Sequence, residues 1–332
     1  MHRLCIIRGD GIGPEVVDAT LRVIEILPVS FHLSFAQAGF RCYQDSGTPL
    51  PQATVRSCQQ ADAVLFGAVT TPPSILNYFS PIVRLRQELD LYVNMRPFCS
   101  LPLPSSRPNI DFTIVRENTE GLYCGREQLT EEGAIAERII TRKASARILE
   151  FAFRQAEKER RQRVTVVHKA NVLRLTDGLF LEEARKVAAQ HPGIEMETVL
   201  VDTCAMKLIL QPESFQLLVT TNMFGDILSD EAAALVGGLG VAASANLGSR
   251  QGLFEPVHGS APDIAGRGTA NPTACHFALE MLLRFLGEET VASRLHQAIL
   301  ATFRSGCTTP DLGGRASTGE VTEEVIRMFR GQ

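Results

Sequence analysis

The chain has 332 residues, of which 45% are hydrophobic and 21% charged, and its formal net charge is −4. It is long enough for one large or two medium domains, and the charge argues against a nucleic-acid partner. The eight cysteines include no C-x-x-C pair, which indicates neither a disulfide framework nor a zinc site and predicts a cytoplasmic protein. No apolar run reaches membrane-spanning length and no secretory signal opens the chain, so we expect no membrane partner.

The chain opens with a predicted strand, a glycine turn and a helix. Leu4 to Ile7 is a short apolar run, GDGIG follows at 9–13, and Pro14 suits the first position of a helix reaching about Leu27. The turn could offer backbone N–H groups to a phosphate. Its spacing is not G-x-G-x-x-G and no acidic residue follows at the expected offset, so a purely structural turn is at least as good an interpretation.

Short apolar strands then alternate with helical periods. AVLFGA at 63–68 is a predicted strand, and residues 82–91 form a predicted helix. The alternation predicts an α/β protein with a largely parallel sheet, whose ligands gather at the carboxyl ends of the strands.

The stretch TTNMFGDILSDEAAALVGGL at 220–239 follows a predicted strand, Phe215 to Val219, and we expect its helix to begin at Gly225. Asp226 and Asp230 then lie on one helical face. Either the helix N-terminus stabilises both anions, or a divalent cation with oxygen ligands holds them together. The stretch by itself favours neither interpretation.

Arginines recur between these segments. Arg86 lies in the predicted helix, Arg96 follows in YVNMRP, and Arg116 lies in FTIVRENTEGLY, whose apolar residues indicate burial. Most arginines are exposed, but a buried one needs an anion.

Several motifs together resemble one family. They are GDGIGPE at 9–15, LR at 85–86, LDLYVNMRP at 89–97, RENTEGLY at 116–123, HKANVL at 168–173, VD at 201–202, GDILSDEAAALVGGLG at 225–240, EPVHGSAPDIAGRGTANPTA at 255–274 and TPDLGGRAST at 309–318. In this order they resemble the metal-dependent β-decarboxylating dehydrogenases, which include the 3-isopropylmalate, isocitrate and homoisocitrate enzymes.

The resemblance implies an isopropylmalate-dehydrogenase-like α/β fold of two domains with a central sheet, which is not a Rossmann fold. Residues 1–97 and 236–332 would form the large, cofactor-side domain, and 98–235 a small domain with the dimer interface. It also implies a homodimer, or a tetramer of such dimers, in which Lys169 and Asp202 act in the partner's site and Gly125 to Thr141 form an intersubunit arm.

The resemblance assigns roles to individual residues. Asp202, Asp226 and Asp230 would hold Mg²⁺ or Mn²⁺, ions that prefer oxygen ligands. Lys169 would accept the substrate's hydroxyl proton and Tyr123 would protonate the enolate carbon; the residues alone fit a solvated strand end and a core-edge tyrosine as well. Arg86, Arg96 and Arg116 would bind the substrate carboxylates, and Asn171 would be a further substrate-binding residue.

The cofactor loop is implied in the same way. EPVHGSAPDIAG resembles the family's adenosine-binding loop. Asp263 would accept hydrogen bonds from the ribose hydroxyls and repel a 2′-phosphate, and NADP-dependent members tend to carry Lys-Tyr in place of Asp263-Ile264, so we predict NAD. The predicted cofactor residues are Thr71, His258, Gly259, Ser260, Ala261, Asp263, Ile264 and Asn271.

The substrate is the least determined expectation. Ile82 and Val83 could bury an isopropyl group, which favours 3-isopropylmalate and leucine biosynthesis. Ser80 could hydrogen-bond a distal carboxylate or merely cap a helix, and RENTEGLY and TPDLGGRAST resemble homoisocitrate and isocitrate enzymes, which leaves lysine biosynthesis or the citrate cycle open. The alternative of a different class is a non-catalytic protein that binds NAD or a metabolite.

Overall fold

The computed structural model describes residues 1–75 and 78–331, which divide into two compact units. The first unit comprises Met1–Leu91, Leu101–Arg107 and Val236–Gln332, and the second comprises Tyr92–Ser100 and Pro108–Leu235. The boundary expected at Pro97 falls inside a strand of the second unit, and the return of Leu101–Arg107 to the first unit was not predicted.

The first unit contains five strands and seven helices of the described chain. They are β1 His2–Gly9, α1 Gly13–Ile24, β2 Phe31–Ala36, α2 Phe40–Ser46, α3 Gln52–Gln60, β3 Ala63–Ala68, α4 Pro81–Glu88, β11 Ala243–Leu247, β12 Gly252–Pro256, α9 Thr273–Phe285, α10 Glu289–Arg304 and α11 Thr318–Arg330. The strand order is β2-β1-β3-β12-β11, and every pair is parallel except β11 with β12.

Apolar strands explain this sheet. Every residue of β3 is buried, as is typical of a parallel strand covered on both faces. Ile7, Val64, Phe66 and Leu253 from three strands meet in one hydrophobic cluster, on which Leu85 of α4 also packs. The core therefore fixes α4 and the start of the loops that follow β1 and β3.

The second unit also has five strands in one sheet. Its elements are β4 Val93–Cys99, β5 Asp111–Glu117, β6 Glu127–Leu129, β7 Ala134–Ala136, α5 Arg142–Lys158, β8 Arg163–His168, α6 Thr176–Ala188, β9 Glu195–Leu200, α7 Val201–Leu210, β10 Leu217–Thr220 and α8 Asn222–Val236, the last of which ends in the first unit. The order is β4-β5-β10-β8-β9, with only β4 and β5 antiparallel.

Two short strands stand apart from that sheet. β6 and β7 pair as an antiparallel hairpin, and all six of their residues are exposed. This hairpin lies within the predicted intersubunit arm. Of the helices in residues 1–75 and 78–331, none combines the length and apolar character needed to cross a bilayer.

Candidate active site

The carboxyl ends of the strands in the second unit carry polar side chains. Arg116 lies near the end of β5, Thr220 ends β10, and Lys169 directly follows β8. β5, β10 and β8 are parallel neighbours, and Thr220 pairs with both Arg116 and Val167. The three strand ends therefore share one edge of the sheet, which is where ligands bind in such sheets.

Arg116 is buried, with 1% of its surface exposed. Its Nε and Nη2 donate to Asn222 Oδ1 at 3.0 and 2.7 Å, and its Nη1 donates to Asp226. A Cβ atom at Gly225 would lie 2.6 Å from Arg116 Cγ, so only glycine lets α8 pack this closely on the arginine.

Arg96 brings a second guanidinium to the same helix. Its Nη1 donates to Ser229 Oγ at 2.6 Å and lies 3.4 Å from Asp230 Oδ1, while its Nη2 lies 3.5 Å from Asp226 Oδ1. Asn94 Oδ1 accepts from its Nε at 2.8 Å. Two buried arginines thus face the carboxylate pair.

The carboxylates themselves lie on one face of α8. The Tyr123 hydroxyl donates to Asp226 Oδ2, and burial raises the pKa of Asp230, an effect that Arg96 opposes. α8 begins at Asn222 and not at Gly225, so neither aspartate lies in its first turn. The explanation by the helix N-terminus is therefore wrong, because that effect fades after one turn.

Lys169 and Asp202 form a separate pair. Lys169 Nζ donates to Asp202 Oδ1 at 2.6 Å and lowers the pKa of that carboxyl. Asp202 is exposed in the first turn of α7, and Asn171 is exposed in the turn after Lys169. Across residues 1–75 and 78–331, no group of three His, Cys, Asp or Glu side chains is arranged to hold a metal. One chain thus brings together two of the three predicted metal carboxylates.

In the first unit, Arg86 is held by a partner that the sequence did not reveal. Arg86 Nη2 donates to Glu255 Oε1 at 2.9 Å, and both side chains are 9% exposed. Asn246 Nδ2 donates to the same oxygen at 2.7 Å. The only sequence signal was a glutamate at the start of the EPVHG motif.

The glycine turn packs against the predicted cofactor loop. Ile12 N donates to Ser260 O at 2.8 Å, and a Cβ at Gly11 would lie 1.9 Å from that oxygen. The Asp10 carboxylate accepts from the backbone N–H groups of Phe40, Arg41 and Thr70. These contacts support the structural interpretation of the turn.

The predicted cofactor loop contains a histidine, His258, with one buried ring nitrogen that lacks a hydrogen-bond partner within the described residues. Burial lowers the pKa of His258, and its Nε2 is buried without a hydrogen-bond partner in the described part of the chain. Asp263 and Gly259 are exposed, Thr71 is exposed on the loop after β3, and Ser260 is buried. Ala261 has a φ of +37°, which indicates a constrained turn next to Asp263 and Ile264.

Asn271, the last predicted cofactor residue, is fixed on both sides of its amide. Its Nδ2 donates to Asp311 Oδ2 at 3.0 Å, and its Oδ1 accepts from Thr273 N at 3.0 Å. Its side chain is therefore oriented before any ligand binds.

The three predicted specificity residues lie at the start of α4. Ser80 precedes the helix, and its side chain makes no capping hydrogen bond with the described residues. Ile82 is partly buried and packs against the hydrophobic cluster, and Val83 is partly buried too. The hydroxyl of Ser80 is thus not used as a helix cap.

Comparison with known proteins agrees with this geometry. The family model described as isocitrate/isopropylmalate dehydrogenase matches residues 3–325. The chain belongs to this family. As a member of the isocitrate/isopropylmalate dehydrogenase family, it is a β-decarboxylating dehydrogenase with the α/β fold that the motifs predicted.

Individual relatives of this dehydrogenase differ in their named substrates. It is 50% identical to the 3-isopropylmalate dehydrogenase of Methanothermobacter thermautotrophicus over 98% of each chain. It is 48% identical to the isocitrate/homoisocitrate dehydrogenase of Thermus thermophilus over 99% of each. A crystal structure of isocitrate dehydrogenase from Methylococcus capsulatus superposes with a TM-score of 0.97 at 44% identity, covering 99% of this chain and 100% of the other.

In each unit, the predicted arginines are held by residues to which the sequence assigned no role. Asn222, Ser229 and Asn94 orient the two arginines of the second unit, and Glu255 orients Arg86. Glu255, Asn222 and Ser229 are more than a hundred residues from the arginines they contact, so sequence spacing does not reveal these pairs, whereas Asn94 is only two residues from Arg96.

Proposed function

We propose that this dehydrogenase catalyses the NAD-dependent oxidative decarboxylation of a 3-substituted malate, either 3-isopropylmalate or homoisocitrate, to the 2-oxo acid, CO₂ and NADH. The observation that carries the proposal is the cluster in which Arg96, Arg116 and Tyr123 contact the carboxylates of Asp226 and Asp230 on α8. Guanidinium groups bind carboxylates through bidentate, charge-assisted hydrogen bonds, so the two arginines suit a substrate with several carboxylates. Arg86 would bind such a carboxylate as well.

Asp226 and Asp230 would hold Mg²⁺ or Mn²⁺ together with Asp202 of a second copy of the chain. An oxygen-only donor set suits these ions, and the neighbouring guanidiniums lower the cost of placing an anionic substrate beside the carboxylates. A bound cation would supply Lewis-acid stabilisation of the charge that develops on the substrate oxygen.

The third carboxylate supports a homodimer with shared sites. Within one chain Asp202 pairs with Lys169 and not with Asp226. α7, which carries Asp202, exposes Met206, Ile209 and Leu210, each at 50% or more. Apolar side chains clustered on one exposed helix favour cover by another protein surface.

The proton steps fall to two side chains. Lys169 would take the hydroxyl proton while the C2 hydride passes to the nicotinamide, and Tyr123 would donate its proton to C3 after CO₂ departs. The Tyr123 hydroxyl donates a hydrogen bond to Asp226. Arg116 lies beside the tyrosine, with its Cζ 5.1 Å from the ring centroid.

The first unit would bind NAD. The buried, unpaired Nε2 of His258 is a free hydrogen-bonding position within the described residues, and the exposed Asp263 carboxylate can accept from ribose hydroxyls. A 2′-phosphate at Asp263 would meet like charge, which supports NAD over NADP.

Substrate choice rests on Ser80, Ile82 and Val83. Val83 is partly exposed, and its apolar surface suits an isopropyl group. The Ser80 hydroxyl does not cap α4, and it suits a distal carboxylate. Isocitrate is the alternative substrate, and a non-catalytic binding protein is the alternative of a different class.

The test is NADH formation, with kcat/KM measured for 3-isopropylmalate, homoisocitrate and isocitrate, each with Mg²⁺ or Mn²⁺ and with NAD⁺ or NADP⁺. Preference for isopropylmalate would support leucine biosynthesis, and preference for homoisocitrate lysine biosynthesis. Lys169→Ala should still bind NADH but lose turnover. Lys207→Ala removes a lysine that pairs with Glu197 at 3.4 Å, and this control variant should keep both NADH binding and turnover. Binding of NADH without turnover of any acid in the unmodified protein would contradict the proposal.

A further inference from the structure

The backbone N–H and carbonyl groups of Lys169 are both held by hydrogen bonds. Its N–H donates to Asp177 Oδ2 at 2.6 Å, and its carbonyl accepts from Val172 N at 3.0 Å and Leu173 N at 2.8 Å. Asp177 lies in the first turn of α6 and is fully buried. The turn that carries the lysine is therefore anchored to a buried carboxylate.

Arg138 supplies the counter-charge. Its Nη1 donates to Asp177 Oδ1 at 2.6 Å and to Thr176 Oγ1 at 2.7 Å, and its Nη2 donates to Thr221 Oγ1 at 3.0 Å. Its guanidinium carbon also lies 5.3 Å from the Phe224 ring centroid. One side chain from the segment after β7 thus joins the start of α6 to the junction of β10 and α8.

We propose that Arg138 and Asp177 are positioning residues for Lys169. The inference rests on the proposed function, in which Lys169 takes up the substrate's hydroxyl proton. Removing Arg138 leaves a buried carboxylate without its cation, and removing the Asp177 charge weakens the anchor of the Lys169 N–H. Either change lets the lysine shift, and proton transfer falls steeply when donor and acceptor are displaced.

Another arginine–carboxylate pair on α6 provides a control. Arg142 Nη1 lies 2.6 Å from Glu183 Oε1, so it joins the start of α5 to α6 at the same distance as Arg138 joins its own partner. Glu183 contacts Lys186 on α6, and none of the hydrogen bonds found in residues 1–75 and 78–331 connects it to the Lys169 turn. Loss of this pair removes an equally short but more exposed ion pair on the same helix without touching the lysine, so it controls for the general loss of an arginine contact to α6.

The experiment compares Asp177→Asn, Arg138→Gln, Arg138→Lys and Arg142→Gln in the full chain with the preferred acid. We expect kcat to fall about 10- to 100-fold for Asp177→Asn and Arg138→Gln, with an unchanged KM for NAD⁺. Arg138→Lys should recover part of kcat, and Arg142→Gln should match the unmodified enzyme. Amide hydrogen exchange should become faster at residues 168–173 in the first two variants only.

Three results would overturn the inference: an unchanged kcat in Arg138→Gln, a lower melting temperature without faster exchange at 168–173, or an equal fall in Arg142→Gln. If Asp177→Asn does not fold, the two Arg138 variants decide. Lys169→Ala tests the proposed function separately. If it retains turnover, the role of Lys169 is wrong, whereas the hydrogen-exchange comparison still shows whether Arg138 and Asp177 hold the turn.

Discussion

The two units have similar strand orders but differ in the residues at the carboxyl ends of their strands. Each sheet has four parallel strands and one antiparallel strand at the end of its order. In the second unit Arg116 lies near the end of β5 and Lys169 directly follows β8, whereas β1 and β3 of the first unit end in Gly9 and Ala68 and lead into loops held by backbone contacts. The same layout therefore supports charge recognition in one unit and close backbone packing in the other.

The two units also differ in how a carboxylate near the ends of the strands is stabilised. The Asp226 carboxylate accepts hydrogen bonds from Tyr123 and Arg116 and lies 3.5 Å from Arg96, so two guanidinium groups share it as a counter-charge. In the first unit, the Asp10 carboxylate is satisfied by three backbone N–H groups and needs no cation. Substitution of Asp226 should therefore affect mainly activity, whereas changes to the loops around Asp10 should affect mainly stability.

The largest effect should come from Asp226→Asn. It removes a proposed metal ligand and the shared partner of Arg116 and Tyr123, so kcat/KM should fall on the order of 10³-fold. Glu255→Gln is the counterpart in the first unit. It keeps an acceptor for Arg86 and Asn246, so we expect only about a 10-fold loss, mainly as a higher KM for the acid. Equal losses would break the contrast between the units.

Two glycines should separate stability from activity. Gly9→Ala would place Cβ 1.9 Å from Ala68 O at a φ of +75°, which should destabilise the fold by about 3 kcal/mol. Gly225→Ala would push Arg116, so stability should fall by about 1–2 kcal/mol but kcat/KM by more than 10-fold. Urea unfolding and steady-state rates of both variants are the measurements; full activity of Gly225→Ala would contradict the argument.

Acid should destabilise the first unit through His276. This side chain is fully buried, neither ring nitrogen has a hydrogen-bond partner in the described chain, and burial lowers its pKa to about 3. The unfolded state takes up a proton near pH 6.5 that the folded state does not, so stability falls by about 2 kcal/mol from pH 6.5 to 5. His276→Leu should lose this pH dependence in thermal unfolding; an unchanged slope would rule out His276 as its source.

His191 in the second unit should show the opposite sign and the smallest effect. Glu157, 2.8 Å from its Nδ1, raises the pKa of His191, and Glu150 contributes. The stabilisation is complete below pH 6.5 and disappears as the pH rises through the elevated pKa, because the folded state then loses its proton. The free energy of unfolding of His191→Gln, measured by urea unfolding, should differ from that of the unmodified protein more at pH 6 than at pH 9, by less than about 1 kcal/mol.

The predictions from sequence succeeded where the pattern is local. AVLFGA is the strand β3 to the residue, and Pro81 opens α4 one position before the predicted start. The helix with Asp226 and Asp230 was predicted three residues too short, because Asn222 looked like the end of a strand but begins α8. Arg116 was correctly expected to be buried beside an anion.

The sequence by itself determined the α/β class, the family and the residue types that can perform its chemistry, since apolar periods and contiguous motifs are local properties. Only the tertiary structure decided which charges meet: Glu255 with Arg86, Asp202 with Lys169, and Arg138 with Asp177. These partners are separated by tens to more than a hundred residues, and nothing in the spacing of either one specifies the other. Sheet register and helix packing bring them together, and for the buried pairs Glu255 with Arg86 and Arg138 with Asp177 each charge requires a counter-charge within the folded chain.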